Sequence, residues 1–494
     1  MGIVQRQSIK NSIVNYVGIL LGGLSTLFIY PLDWELYGSI QFSLSTALLL
    51  NALFSLGSFS LVNKYFPYFK KRSIKGFLSL VFTYSIINIF AVAIILYIFK
   101  TPFEWLLIKG GFDIKEIYRN LFIILPIALM YVFINILRSQ SFNFGRIVYP
   151  DLISNFSLKL IVPLIILLSY FLSIDYIISG WILILYHLII ILLLAWYIHT
   201  LGGIDFSMSI FSKISRKKHL EMTQYMLYNA LNHVGNILVY KIDLVMIGLL
   251  LSTTKVGYYS IFLFLSVVIE IPTKAVFQIT APMVSQALEH KEYSKIEKMY
   301  KDASANLYII GVFLFFIIWF NMDIIFQIMT KGEDLVMFKV VFLMLGLTKI
   351  IDMATSINFH IISYSKYYKV NTLFIFILAI SNIILNYILI GKFDINGAAI
   401  STFISMLAFN FLKTIFVYLK FNMQPFGGKL LLITVILLLS IALPYIAPTI
   451  FQSYYGSILF TLFFTILFIS IVYKLKITAE INAILDKYLV HYFK

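Results

Sequence analysis

Long apolar runs alternate with short polar connections along the whole of this 494-residue chain. About fourteen runs stand out, at roughly 11–32, 38–62, 76–99, 117–138, 150–171, 174–199, 222–251, 256–281, 303–329, 335–361, 368–391, 396–419, 427–449 and 452–475. Most have about the 20 residues that a helix needs to cross some 30 Å of hydrocarbon. They are apolar on every face and lack the strict alternation of a barrel strand, so helices are the spanning element. The pattern predicts an all-α polytopic membrane protein with about 14 transmembrane helices.

Composition agrees with the pattern. The chain is 61% hydrophobic and 12% charged, whereas a soluble domain carries about 25% charged residues. There is no cysteine, which excludes disulfides, thiolate nucleophiles and thiolate metal sites. The opening MGIVQRQSIKNSIVNYVG has no compact apolar core followed by a small-residue cleavage site, so the first helix is expected to act as its own insertion signal. Basic residues set the orientation. With the N-terminus inside, most of the 38 Lys and Arg residues fall on cytoplasmic connections, including KKRSIK (70–75), KISRKK (213–218) and the tail after Tyr473. The outer connections, such as PLDWE (31–35) and the turn after Pro448, are poor in positive charge. The expectation is a multi-pass membrane protein with both termini cytoplasmic. The net charge of +16 follows from this bias and from attraction to anionic lipid, not from nucleic-acid binding. One cytoplasmic segment, EHKEYSKIEKMYKDAS (289–304), reads as an amphipathic helix with Ile296, Met299, Tyr300 and Ala303 on one face, suited to the membrane interface.

The chain also repeats itself. YGSIQFSLS (37–45) matches YYSIFLFLS (258–266), and SIDYIISGWILIL (173–185) matches GKFDINGAAISTFI (391–404), both at an offset of about 220 residues. Six spans separate the copies, so both halves share one orientation, as in parallel-repeat transporters. The predicted organisation is a six-helix lobe over 1–205, a basic cytoplasmic linker over 206–221, a second six-helix lobe over 222–420, two extra spans over 421–475 and a cytoplasmic tail over 476–494. Two repeated bundles suit movement of a solute between the two sides, with its site near the midplane.

Eight ionisable residues fall inside the runs: Lys159, Lys241, Asp243, Glu270, Lys274, Lys349, Asp352 and Lys413. Each costs about 2.5–3.5 kcal/mol at a helix centre, so each needs a partner, a neighbouring helix or water. Glu270 and Lys274 are four apart, and Lys349 and Asp352 three apart, so each pair can neutralise itself along one helix face. Lys241 and Asp243 are two apart, about 200° around the helix, and must find partners elsewhere. Lys159 and Lys413 sit near enough to an interface to snorkel. Lys64, Arg138 and Arg146 lie at the cytoplasmic ends of spans, where they bias orientation or meet an arriving anion. His187, His233 and His360 stand singly on apolar spans without metal-ligand spacing. Pro272 and Pro282 within EIPTKAVFQITAP (270–282) predict a bent or broken helix. No catalytic constellation and no cofactor motif stands out, so the sequence reads as a non-enzyme.

The stretches DWELYGSIQFSLSTALLLNALFSLG (33–57), KIDLVMIGLLLSTTKVGYYS (241–260) and FDINGAAIST (393–402) resemble polysaccharide flippases of the Wzx type. These belong to the multidrug/oligosaccharidyl-lipid/polysaccharide (MOP) exporter superfamily. The similarity covers roughly 1–420. The resemblance implies two six-helix lobes forming a V, alternating access, and a central basic cavity that accepts the diphosphate of a polyprenyl-linked glycan such as an O-antigen unit. Lys241, Lys274, Lys349, Arg138, Arg146, Lys159 and Lys64 are then candidates for diphosphate binding. Asp243, Glu270 and Asp352 are candidates for coupling to H⁺ or Na⁺. Expected partners are the lipid-linked glycan, membrane lipids, and glycan polymerase or assembly proteins. The alternatives are an exporter of drugs or other small molecules on the same fold, which the basic excess disfavours, and a polytopic glycan-modifying enzyme.

Overall fold

A computed structural model describes residues 3–72, 75–111, 114–204, 207, 210–428, 430–476, 478, 480–483 and 486. Among them every regular element is helical and there is no strand. Eleven helices are long and apolar enough to cross a membrane, from Ile13–Leu32 to Tyr454–Lys474. The chain is therefore an all-α, multi-pass membrane protein.

The remaining predicted runs are helices too. Tyr368–Phe421 is two helices joined at Asp394, whose backbone is non-helical (φ 58°). This break separates the runs read at 368–391 and 396–419. The 427–449 run is the 17-residue helix Leu430–Ile446. The 335–361 run holds the 17-residue helix Lys339–Thr355, a break at Ser356 (φ 39°), and the short helix Asn358–Tyr364.

Polar residues in the turns start the helices. Asp33 accepts from the Leu36 amide at 3.0 Å and caps Trp34–Ser55. Asp175 accepts from Ile178 at 2.8 Å and caps Tyr176–Thr200. Each satisfies an amide that the helix leaves without an internal partner. The acidic turns of the repeated motifs thus do local structural work.

The chain divides into two compact units, Met1–Ser260 and Ile261–Lys494. The described part of the basic segment 206–221 and all of helix Arg216–Leu250 fall within the first. In that unit Trp34–Ser55 packs against Ile114–Asn143 and Arg216–Leu250. Small residues let backbones close. A Cβ on Gly38 would lie 1.7 Å from the Thr253 carbonyl oxygen, and one on Gly248 would lie 2.3 Å from the Phe42 ring. Close approach through glycine is how membrane helices gain contact, since lipid supplies no hydrophobic drive between them.

In the second unit Val284, Ile296, Tyr300, Ile361 and Val417 form one buried cluster. The last two helices are tied to Tyr293–Phe320. Phe316 meets Phe464 edge-on at 4.7 Å, Ser457 donates to the Phe320 carbonyl at 2.7 Å, and Asn321 donates to Thr461 at 2.9 Å.

Two local expectations need correction. Residues 293–304 are not a separate amphipathic helix but begin helix Tyr293–Phe320. The apolar face was read correctly, yet it packs against protein, with Ile296 and Tyr300 fully buried. Of the bent or broken helix expected at Pro272 and Pro282, the break does not occur: Thr253–Glu289 is one continuous helix. A membrane helix tolerates proline where its neighbours re-satisfy the freed backbone groups.

Candidate functional site

In the first unit, helix Arg216–Leu250 carries both charges of the stretch YKIDLV. Asp243 is buried, and Tyr259 donates its hydroxyl to Oδ2 at 2.8 Å. Lys241, two residues earlier on another side of the helix, is half-buried and has no side-chain partner among the described residues. The spacing argument therefore holds: the two charges do not neutralise each other.

The other basic candidates of this unit divide by partner. Arg138 is held by Asp151, with Nη2 2.6 Å from Oδ1. Lys64 places Nζ 3.7 Å from the centre of the Tyr225 ring, a cation–π contact. Arg146 is exposed, with no side-chain partner among the described residues. Lys159 packs against Gly18, where an added Cβ would lie 3.0 Å from Nζ.

In the second unit the two predicted same-helix pairs do not form. Glu270 pairs with Lys349, on a separate helix, rather than with Lys274. Lys274 is left exposed, without a partner among the described residues. Asp352, deprived of Lys349, acts electrostatically on Lys413 instead. The physical reason is general. A bridge between helices satisfies two intramembrane charges and ties two elements together, whereas a same-face pair leaves both charges on one surface.

Lys413 does not snorkel. It is 3% exposed, with Nζ 4.1 Å from the centre of the Phe409 ring. Sequence reasoning treated it as an interface lysine because it lies close to a span end. Its neighbours Asn410 and Thr414, at helical spacing, are the polar stripe that could have marked it as inward-facing.

The sum of these placements is asymmetric. Asp243 and Glu270 each have a hydrogen-bonding or ion-pair partner, while Lys241 and Lys274 have none among the described residues. The unmatched intramembrane charge is positive. Among the described residues no group of three or more His, Asp or Glu could hold a metal ion.

No protein-family model matches the chain, and no curated protein matches it. Solved structures do. Lipid II flippase MurJ in an inward closed conformation superposes with a TM-score of 0.69 at 16% identity, covering 95% of this chain and 100% of that one. An inward-facing multidrug resistance MATE family transporter of the MOP superfamily gives 0.60 at 14% identity, covering 82% and 94%. A MOP superfamily transporter from Pyrococcus furiosus, described as having reversed polarity of its binding pocket, gives 0.53 at 15% identity, covering 85% and 95%. This chain has the fold of MOP superfamily transporters.

Proposed function

We propose that the protein is a flippase for a polyprenyl-diphosphate-linked oligosaccharide, moving it from the inner to the outer leaflet of a bacterial cytoplasmic membrane for surface polysaccharide export. Both termini would then be cytoplasmic, and two six-helix lobes would alternate access. The observation that carries the reading is the positive surplus. Among the described residues Lys241 and Lys274 have no carboxylate partner, while Asp243 accepts from Tyr259 and Glu270 pairs with Lys349. A diphosphate supplies the missing negative charge, and ammonium groups bind phosphate as point charges. A cationic drug would need the reverse arrangement, with acids left open.

The fold supports the same class of substrate, since a lipid II flippase shares it along nearly the whole chain. Lys349, Arg138, Arg146, Lys159 and Lys64 would guide or orient the anion. Asp243, Glu270 and Asp352 would couple movement to H⁺ or Na⁺, so that an imposed ion gradient drives the cycle in one direction. Glycan polymerase and assembly proteins would consume the product.

Binding tests the substrate class directly. Purified protein in detergent should bind a polyprenyl-diphosphate-sugar and lose that binding to competing polyprenyl diphosphate. A lipophilic cationic drug should not compete. Tight drug binding with no affinity for the diphosphate lipid would move the protein to the small-molecule exporters of the same fold.

A further inference from the structure

The second unit buries more unpartnered polar atoms in one place than packing alone tolerates. Asn358 is fully buried, and neither its amide oxygen nor its amide nitrogen has a partner. Among the described residues neither ring nitrogen of His360 has a partner, and the residue is 8% exposed. The Tyr300 hydroxyl lies beside Thr414 and Asn358, too poorly aligned with either to satisfy it fully. Asn410 uses its oxygen to accept from Thr355 at 3.0 Å, but its amide nitrogen is unsatisfied.

These groups come from four elements that meet. Asn410, Lys413 and Thr414 lie on one face of Tyr368–Phe421, at i, i+3 and i+4. That helix packs against Lys339–Thr355, which carries Asp352, and against Asn358–Tyr364, which carries His360. Tyr300 of Tyr293–Phe320 and Phe277 of Thr253–Glu289 close the cluster.

A buried polar group left unpaired costs about 1–3 kcal/mol. Several together persist only when water satisfies them. Hydration also accounts for the charges. Asp352 and Lys413 interact electrostatically, yet no salt bridge joins them.

The titratable and charged groups around His360 are few. Lys413 acts on it electrostatically, and Asp352 acts in turn on Lys413. The Tyr364 ring stacks on it at 5.7 Å, and Tyr300 is the phenol of the cluster. Helix Thr253–Glu289 presents Phe277, at 4.8 Å; its charges Glu270 and Lys274 are, respectively, paired with Lys349 and exposed. A metal cation suits this place poorly, because a fixed ammonium repels it and oxygen ligands are what it needs. A proton needs only water and a base.

We propose that the second unit contains an internal hydrated proton-binding site, in which His360 takes up the proton and the Asp352–Lys413 pair sets its affinity. The step is a simple exchange: a ring nitrogen of neutral His360 accepts a proton from water, and returns it to water. This site deepens the ion-coupled reading given above and rests on it for its role in the transport cycle, but its existence is measurable without any transported lipid.

The test is a pH titration of the intact protein in detergent, labelled with ¹⁵N at histidine, with His360→Gln identifying the resonance. The His360 resonance should titrate reversibly with pH, as an imidazole in exchange with water does. Lys413→Met removes a neighbouring positive charge, so the midpoint should move upward by about one pH unit, about tenfold tighter proton binding. Lys413→Arg should leave it in place. Asp352→Asn should move it downward, and reads the same coupling should Lys413→Met not fold. A resonance that never titrates, or a midpoint indifferent to Lys413→Met and Asp352→Asn alike, overturns the proposal. Titration as expected in a protein that neither binds nor flips a diphosphate lipid would overturn the flippase reading alone.

Discussion

Tyr259 donates its hydroxyl to Asp243 at 2.8 Å inside the first unit, so the acid in the stretch YKIDLV is oriented by its neighbour and not by the lysine two residues away. Removing the donor should cost about 1–3 kcal/mol, the scale of one hydrogen bond to a buried charged acceptor. Tyr259→Phe should therefore lower the thermal unfolding midpoint in detergent while the protein still reaches the membrane. A midpoint equal to that of the unaltered protein would mean that Asp243 has full replacement partners.

The Glu270–Lys349 bridge joins separate helices of the second unit. Breaking a bridge of this kind leaves an unpaired charge and should cost up to about 3 kcal/mol, while removing both charges together costs much less. Glu270→Gln and Lys349→Met should each lower the unfolding midpoint, and the double variant should recover most of the loss. Additive losses would show that the two side chains do not depend on each other.

Gly38 sits where an added Cβ would strike the Thr253 backbone, which has no flexible end to give way. Overpacking of this kind costs about 1–3 kcal/mol or more. Gly38→Ala should reduce the yield of folded protein sharply. Gly391→Ala, with nothing within 4 Å of the new atom, should be tolerated. Equal yields would remove the close approach of Trp34–Ser55 to Thr253 as a constraint.

Lys241 and Arg138 should separate binding from stability. Lys241 has no partner among the described residues, so Lys241→Ala should weaken polyprenyl-diphosphate binding at least about tenfold, equivalent to about 1.4 kcal/mol, with little change in unfolding. Arg138 is held at 2.6 Å by Asp151, so Arg138→Ala should destabilise the fold by leaving that acid without its cation. Binding curves for the two variants alongside their melting curves decide the matter. Unchanged affinity in Lys241→Ala would take that lysine out of the site.

The helices were legible in the sequence because each needs a contiguous apolar run, and such runs are local. The break within Tyr368–Phe421 was legible as well, since FDING carries its own turn chemistry at Asp394. Charge partners were not. Spacing reveals only residues on the same helix, so it offered Glu270 with Lys274 and Lys349 with Asp352. The structure pairs Glu270 with Lys349, 79 residues away. Lys413 was misread for the opposite reason. Nearness to a span end suggested an interface, but burial depends on which helices cover that end. The face containing Ile296 and Tyr300 was found by its period, yet period alone does not say whether lipid or protein covers it.

The most direct test of the account is translocation itself. Protein reconstituted in liposomes should flip a fluorescent polyprenyl-diphosphate-sugar, faster under an imposed ion gradient, and Asp243→Asn should abolish the gradient-driven component in a protein that remains folded and still binds the lipid. Gradient-driven movement that is the same in Asp243→Asn would contradict the coupling role of that acid, and no movement of any diphosphate lipid would contradict the flippase reading as a whole.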